Sequence, residues 1–207
     1  MTILVPITRV SIQSYPSGDD NPIKIVQGSR QRFTCASDGG RPASRIQWYL
    51  SGTNITGDSK VQADICNPGC NGKVISSSAL EYIGNNVDNG NNIYCTAVNI
   101  VGHIVRSYYI DIVILYGPMI SAISDQIIQE GNTLRVISNI DANPVSMLVW
   151  WSSASELSFR QYGPVLIIRN IQRTYSGYYT CHSMNTLIPS GQPSQNRTSV
   201  KRFYVTV

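Results

Sequence analysis

The sequence predicts an all-β chain folded as two tandem Greek-key β-sandwiches. Short runs of β-branched and aromatic residues are separated by clusters of Gly, Asn, Ser and Pro, and no apolar repeat of helical period lasts beyond about ten residues. The chain has 207 residues, about twice what one sandwich of roughly 100 residues needs. Hydrophobic residues make up 42% and charged residues 14% of the chain, so two apolar cores can be filled.

The candidate strands occur in the same order in both halves of the chain. Between the halves lies Leu115-Tyr116-Gly117-Pro118, where Pro ends the preceding strand and Gly permits a turn. We therefore predict a first domain over residues 1–116 and a second over residues 117–207. The predicted strands are Ile3–Ile12, Gln31–Ser37, Arg45–Ser51, Lys73–Ile83, Asn91–Asn99, His103–Leu115, Met119–Gln129, Thr133–Asn139, Met147–Ser152, Ser158–Gln161, Val165–Ile171, Gly177–Met184 and Thr198–Val207.

Two cysteines and a tryptophan in the first half have the spacing of a β-sandwich core. Cys35 is followed thirteen residues later by Trp48, and Cys95 comes within a later strand. In such an arrangement the indole packs against a disulfide that joins the two facing sheets. We predict that Cys35 pairs with Cys95, and closure of this loop stabilises the domain by about 3–5 kcal/mol in the chain-entropy description.

The second half contains the run Tyr175-Ser176-Gly177-Tyr178-Tyr179-Thr180-Cys181, which resembles the E-to-F corner of immunoglobulin domains. This resemblance to the immunoglobulin superfamily covers nearly the whole chain. The stretches 39–48 and 94–102 resemble C2- or I-type domains of nectin-, nephrin- and junctional-adhesion-type receptors, and also the tandem domains of invertebrate immune lectins. The resemblance implies that Tyr179 forms a tyrosine corner, whereas the first domain has Ile93 at that position.

The second half departs from the family pattern because Ser138 stands where the first cysteine of the pair belongs. Cys181 is then predicted to be a free thiol. One interpretation makes it a small apolar core residue, packed against Ser138 and Trp150. The other gives it a partner outside this sequence or a redox role, because an odd cysteine in a secreted protein can pair between chains.

Trp150 and Trp151 compete for one core position. Leu148 precedes Trp150 by two residues, as Ile46 precedes Trp48. On a strand this offset predicts that Trp150 points inward and Trp151 outward. An outward Trp151 is a candidate contact residue for a partner, although a single exposed aromatic side chain is often incidental.

Cys66 and Cys70 flank Asn67-Pro68-Gly69, a turn sequence that brings the two sulfurs together. We predict a local disulfide. The alternative is half of a zinc site, but the chain has only two histidines to complete it. We predict no metal site and no cofactor.

The composition argues against catalysis and against nucleic-acid binding. The two histidines, His103 and His182, fall in no recognised catalytic motif, so we predict that the chain is not an enzyme. The formal net charge of +4 is spread along the chain, without the basic stripe that phosphate binding requires.

Two N-glycosylation sequons begin at Asn54 and Asn196, and we expect both asparagines to lie in loops, a setting that suits glycans. Such sequons also arise by chance, but together with paired cysteines they favour an oxidising, extracellular setting. A glycan would mark surface that a close partner cannot use. The sequence has no apolar run of about 18 residues, so we expect any membrane attachment through a segment outside it, and a cell-surface or secreted location.

The resemblance to adhesion receptors implies that a protein partner binds the exposed face of the C, F and G strands in the first domain. These strands carry Tyr49, Tyr94, Tyr108 and Tyr109. Tyrosine suits a contact surface because its ring buries area at low entropic cost and its hydroxyl remains polar. The partner is either a second copy, giving a homodimer, or a different protein.

Two other functions remain open at this stage. The chain could be the immunoglobulin part of a secreted immune lectin, with its main ligand site in another domain and contacts from the segment Asn185–Gln195. It could also be a spacer that sets the distance between other modules. Fold alone does not separate these functions.

Overall fold

A computed structural model describes residues 3–18, 20–66 and 68–207 of the chain. It divides into two compact units, one formed by Met1–Ile114 with Pro189–Pro193 and the other by Leu115–Ile188 with Ser194–Val207. The sequence-based boundary after residue 116 lies two residues further along the chain than the first of these divisions. The all-β prediction is confirmed, since short 3-10 helices at Thr56–Asp58, Asn86–Asp88 and Arg173–Tyr175 are the helical segments among the described residues.

The first unit is a sandwich of two sheets. One sheet has the strand order β1-β3-β7-β6, and the other contains β10-β8-β4-β5, with β9 paired to β8 and β2 paired to β10. The strands are β1 (Val10–Tyr15), β2 (Ile23–Val26), β3 (Arg30–Ser37), β4 (Arg45–Leu50), β5 (Thr53–Asn54), β6 (Ser59–Val61), β7 (Ser77–Ile83), β8 (Asn92–Ile100), β9 (His103–Arg106) and β10 (Ile110–Ile120).

Strand alternation fills the core of this unit from both sheets. Side chains at every second position of β3 turn inward, so Phe33 and Cys35 are fully buried. From the facing sheet Trp48 is also fully buried, and its indole N–H donates to the Ser78 hydroxyl over 3.1 Å. The polar tip of this large core residue is therefore satisfied, as burial requires.

The second unit also has two sheets, with the orders β11-β18-β17-β14-β15 and β12-β16. The end of β10 adds a short pairing with β13. The strands are β11 (Gln126–Ile127), β12 (Leu134–Ile137), β13 (Ile140–Asn143), β14 (Leu148–Ser153), β15 (Arg160–Tyr162), β16 (Val165–Ile168), β17 (Gly177–Leu187) and β18 (Gln195–Thr206).

Aromatic contacts and a tyrosine corner organise the second core. Phe203 packs edge-on against Trp151 with 6.0 Å between ring centroids. The hydroxyl of Tyr179 donates to the carbonyl of Tyr175 over 3.0 Å, which is the backbone hydrogen bond that the resemblance implied for this tyrosine. Strand β17 is thereby tied to the turn that precedes it.

Several strand predictions need correction, including two near the predicted domain boundary. The predicted strand His103–Leu115 is two strands, β9 and β10, separated by residues 107–109. The predicted break at Gly117-Pro118 lies inside β10, where the pairing with β13 shifts register between Tyr116 and Met119. Pro118 is tolerated there because a residue at such an irregularity need not donate a ladder hydrogen bond.

The segment Asn185–Gln195, which lies outside the predicted strands, is partly strand in the structure. Strands β17 and β18 remain paired as far as Leu187 opposite Gln195, so the connection covers residues 188–194. Sequence reasoning missed this because Asn185 is a poor strand former, whereas cross-strand pairing decides its conformation.

Candidate partner-binding site

The outer face of β4, β8 and β9 carries its side chains in cross-strand rows. Residues directly opposite one another on neighbouring strands share a face of the sheet. Tyr49 lies opposite Tyr94. Two further outward rows run across β4, β8 and β9. These two rows are Gln47–Thr96–Arg106 and Arg45–Val98–Ile104.

Three tyrosines form one contact network on this face, which we call the tyrosine cluster (Tyr49, Tyr94 and Tyr109). The rings of Tyr49 and Tyr94 are stacked, with centroids 5.1 Å apart and planes 9° from parallel. Tyr109, just before β10, meets Tyr94 edge-on at 5.0 Å. Each aromatic pair contributes about 0.5–1.5 kcal/mol beyond its buried area, so the rings hold one another in place.

Arg106 extends across the tyrosine cluster. Its guanidinium lies 4.7 Å from the ring centroid of Tyr109 and 5.7 Å from that of Tyr94, within the range of cation–π attraction. Beside it, Ile104 is 67% exposed, and the Tyr49 hydroxyl donates to Gln47 Oε1 over 3.3 Å. A charged group, an apolar side chain and three rings are thus held together on an open, shallow surface. We call the tyrosine cluster with Arg106 and Ile104 the tyrosine face.

Tyr108 is separated from the tyrosine cluster although it is adjacent to Tyr109 in sequence. It is 80% exposed and lines a different shallow depression, beside Arg9 and Val105. Successive residues in extended backbone point to opposite sides, which accounts for the separation. Of the predicted contact tyrosines, the structure brings Tyr49 and Tyr109 together and leaves Tyr108 apart.

The structure joins the predicted cysteine pairs of the first unit. Cys35 and Cys95 are linked with an S–S distance of 2.08 Å and lie fully buried between the sheets. Cys66 and Cys70 are also linked, with 5.7 Å between their Cα atoms. Asn67, in the predicted turn between them, lies outside the described residues. Among the described residues no group of three or more His, Cys, Asp or Glu is placed to hold a metal ion.

The predicted orientation of the two adjacent tryptophans was wrong. Trp151 is fully buried, and its indole N–H donates to the Gly163 carbonyl over 2.9 Å. Trp151 pairs with Cys181 across β14 and β17, as Trp48 pairs with Cys95 in the first unit. Trp151 therefore occupies the core position and cannot be a partner contact.

A different spacing in the sequence would have identified the core tryptophan. Trp48 follows Cys35 by thirteen residues, and Trp151 follows Ser138 by the same thirteen. The prediction assumed that Leu148, two residues before Trp150, points into the core. Leu148 is instead 37% exposed and lies on the outer side of its strand, opposite Met184, so Trp150 also points outward. Distance from the equivalent position on the preceding core strand is the better guide.

Cys181 is a buried thiol in the second core. It is fully buried beside the side chain of Ser138, and its tryptophan neighbour in the core is Trp151 rather than the predicted Trp150. Burial raises the pKa of the thiol above its ordinary value, and a hydrogen bond with Ser138 only partly offsets this. A protonated, enclosed thiol is a poor nucleophile.

Sequence reasoning missed a second aromatic group, on the outer face of β14 and β17. The rings of Trp150 and His182 stack with 4.7 Å between centroids, and His182 Nε2 lies 2.9 Å from the Ser152 hydroxyl. Burial, followed by the charge of Arg160, lowers the pKa of His182 below its ordinary value. The register pairs Trp150 directly with His182, which would have predicted this contact. The pairing can be recognised only after Trp151 is assigned to the core.

The two sequon asparagines lie on strands and are exposed. Asn54 is on β5 directly opposite Tyr49, and its Oδ1 accepts the Thr56 backbone N–H over 2.9 Å. Asn196 is on β18 opposite Thr186, whose hydroxyl donates to Asn196 Oδ1 over 2.8 Å. The expectation that both asparagines lie in loops was therefore wrong.

Comparison with known proteins finds similarity to immunoglobulin domains and to cell adhesion molecules. Residues 16–99 match the profile of the CD80-like C2-set immunoglobulin domain. This match lies within the first unit and covers less than half of the chain. The chain's match to cell adhesion molecule 4 of Homo sapiens is 26% identical over 179 residues, and covers 80% of this chain and 44% of that relative. For cell adhesion molecule 3 of Xenopus laevis the match is 27% over 194 residues, covering 89% and 47%.

The chain spans less than half of the length of these curated relatives. Two solved structures share its fold over almost all of its residues. The full ectodomain (Ig1–Ig3) of mouse nectin-like molecule 4 has a TM-score of 0.62 at 21% identity, covering 100% of this chain and 66% of that one. DIP-gamma IG1+IG2 has a TM-score of 0.59 at 13% identity, covering 99% and 98%. In the described part of the chain, no helix has the length and apolar character that a membrane crossing needs.

Proposed function

We propose that this chain is an extracellular recognition module that binds a protein partner through the tyrosine face of its first unit. The carrying observation is the tyrosine cluster, in which two stacked rings and a third edge-on ring are crossed by Arg106 on an open sheet surface. Nothing in this arrangement requires catalysis or a cofactor.

Physical reasons favour this face as a contact surface. Tyrosine and arginine are enriched among the residues that contribute most to protein–protein binding. Ring-to-ring contacts already restrict Tyr49, Tyr94 and Tyr109, so a partner loses less free energy to side-chain ordering when it binds. Arg106 offers charge and hydrogen bonds at the same point. Tyr108, which lies apart from the tyrosine cluster, remains a separate proposed contact.

The comparisons support adhesion rather than carbohydrate recognition. The relatives described above are named as cell adhesion molecules, which does not favour the secreted-lectin alternative. DIP-gamma, which shares the fold, has been solved with Dpr11 IG1 bound to it. By analogy, we propose another immunoglobulin domain as partner, on a second copy of this chain or on a different cell-surface protein.

Sedimentation velocity across a wide concentration range tests the self-binding form of the proposal. The chain produced without N-linked glycans is compared with the double variant Tyr49→Ala/Tyr94→Ala and with Tyr15→Ala, which removes an exposed tyrosine from β1 on the other sheet of the same unit. We expect a reversible dimer that the double variant weakens by about tenfold or more and that Tyr15→Ala leaves unchanged. The same series with reductant excludes a dimer linked through Cys181.

A strict monomer redirects the test to binding between cells. Cells that display the chain are then panned against candidate immunoglobulin ectodomains, with the same three proteins. Equal binding by the double variant and the parent chain, with either kind of partner, would contradict the assignment of function to the tyrosine face.

A further inference from the structure

The sequon at Asn54 lies on the proposed contact surface. Strand β5 is the edge of its sheet, and Asn54 pairs with Tyr49 across β4 and β5. Its neighbour Thr53 pairs with Leu50, which packs against the core, so alternation puts Asn54 on the outer face with Tyr49. Directly opposite residues have Cβ atoms about 4.5–5.5 Å apart.

We infer that an N-linked glycan on Asn54 masks the tyrosine face, so that occupancy of this site controls partner binding. The inference rests on the proposed function for its biological meaning, although the masking itself does not depend on which partner binds. In the modification, Asn54 Nδ2 forms a bond to the anomeric carbon of an oligosaccharide carried on a lipid diphosphate. The anomeric C–O bond breaks, the lipid diphosphate leaves, and the amide loses one proton.

Local geometry supports a glycan at this position. The Asn54 side chain is exposed, and Oδ1 already accepts the Thr56 N–H, which orients the amide over the short turn. The Thr56 hydroxyl in turn accepts the backbone N–H of Trp48 over 2.9 Å, so the sequon is anchored to the strand that carries Tyr49. A bulky sugar attached there begins at the edge of the tyrosine face.

Tyr49 is the cluster member that such a glycan covers first. It lies on β4, next to β5, and its ring contacts Tyr94 on β8. A partner that buries Tyr49 must displace the sugar or approach a chain that lacks it. Molecules without the Asn54 glycan are therefore the binding-competent ones, and the fraction occupied sets how much of the protein can engage.

The test uses protein secreted from mammalian cells as the parent chain, Asn54→Gln and Asn196→Gln, with site occupancy measured by intact mass. Asn196→Gln is the matched control, because it removes the other sequon, which lies on β18 of the second unit. The probe is a nanobody selected against Asn54→Gln protein and kept only if Tyr49→Ala abolishes its binding. A second nanobody, sensitive to Tyr15→Ala, reports on the opposite sheet.

We expect Asn54→Gln to bind the Tyr49-dependent nanobody about tenfold or more tightly than the parent chain and Asn196→Gln do. The Tyr15-dependent nanobody should bind all three proteins equally. The inference is overturned if intact mass shows no sugar on Asn54, or if the first nanobody binds all three equally. Failure of the proposed function would give a different pair of results. The nanobodies would still show masking by the Asn54 glycan, but Tyr49→Ala/Tyr94→Ala would leave partner binding unchanged.

Discussion

Replacing each of the adjacent tryptophans by alanine should separate a core residue from a surface residue in the second unit. Trp151→Ala removes a fully buried indole and leaves the Gly163 carbonyl without its donor. Large-to-small changes of this kind cost about 3–5 kcal/mol, and the orphaned carbonyl adds about 1 kcal/mol. Trp150→Ala removes a half-buried ring whose stacking on His182 is worth about 0.5–1.5 kcal/mol.

Urea denaturation followed by circular dichroism gives the change in the free energy of unfolding for each variant of the full chain. Hydrogen–deuterium exchange of peptides from β17 shows whether the loss is located in the second unit, where both tryptophans pair with that strand. The expected order is a loss for Trp151→Ala at least about 2 kcal/mol larger than for Trp150→Ala. Equal losses, or a larger loss for Trp150→Ala, would refute the assignment of Trp151 to the core.

Three further predictions concern the cysteines and the histidine. Replacing Cys35 and Cys95 together by alanine should destabilise the first unit by about 4 kcal/mol, which is the chain-entropy value for their sequence separation of 60. Urea denaturation against the parent chain measures this loss, with added reductant as a control. Ser138→Cys should form a disulfide with Cys181, because the two side chains are already in contact. Mass spectrometry after alkylation tests this, and alkylation of both Cys181 and the new cysteine would contradict the prediction. Since burial lowers the pKa of His182 in the folded state, the unfolded state takes up its proton first as pH falls. Thermal stability of the second unit should therefore decrease as pH drops through the ordinary histidine pKa of about 6.5, and a His182→Asn variant with the same pH dependence would contradict this.

The general architecture could be predicted because it depends on short-range patterns. Alternating apolar residues identify strands, and the spacing of Cys35, Trp48 and Cys95 identifies facing sheets of a sandwich. Strand ends were less predictable. The split between β9 and β10 falls in a run rich in β-branched and aromatic residues, which favours one continuous strand. Pro118 is accommodated inside β10 because the pairing with β13 shifts there.

The two units stabilise the same sandwich by different means, and the sequence shows this more directly than it shows the contact surface. Cys35 and Cys95 join the sheets in the first unit. In the second unit Ser138 and Cys181 fill the equivalent space without a disulfide bond. The Tyr179 hydroxyl ties β17 to the turn that precedes it. Ser138, Cys181 and Tyr179 each stand at a characteristic spacing along the sequence. The difference between the two cores can therefore be predicted from the sequence.

The surface itself depends on pairing between distant parts of the chain. Parity along one strand says that Tyr108 and Tyr109 point in opposite directions, but only the contact of Tyr109 with Tyr94 shows which of them joins the tyrosine face. The same holds for Asn54, whose sequon indicated a glycan and therefore a surface free of partners. Its pairing with Tyr49 is a property of the β4–β5 register. That register brings a glycosylation sequon and a proposed binding site onto one surface, where we propose that they compete.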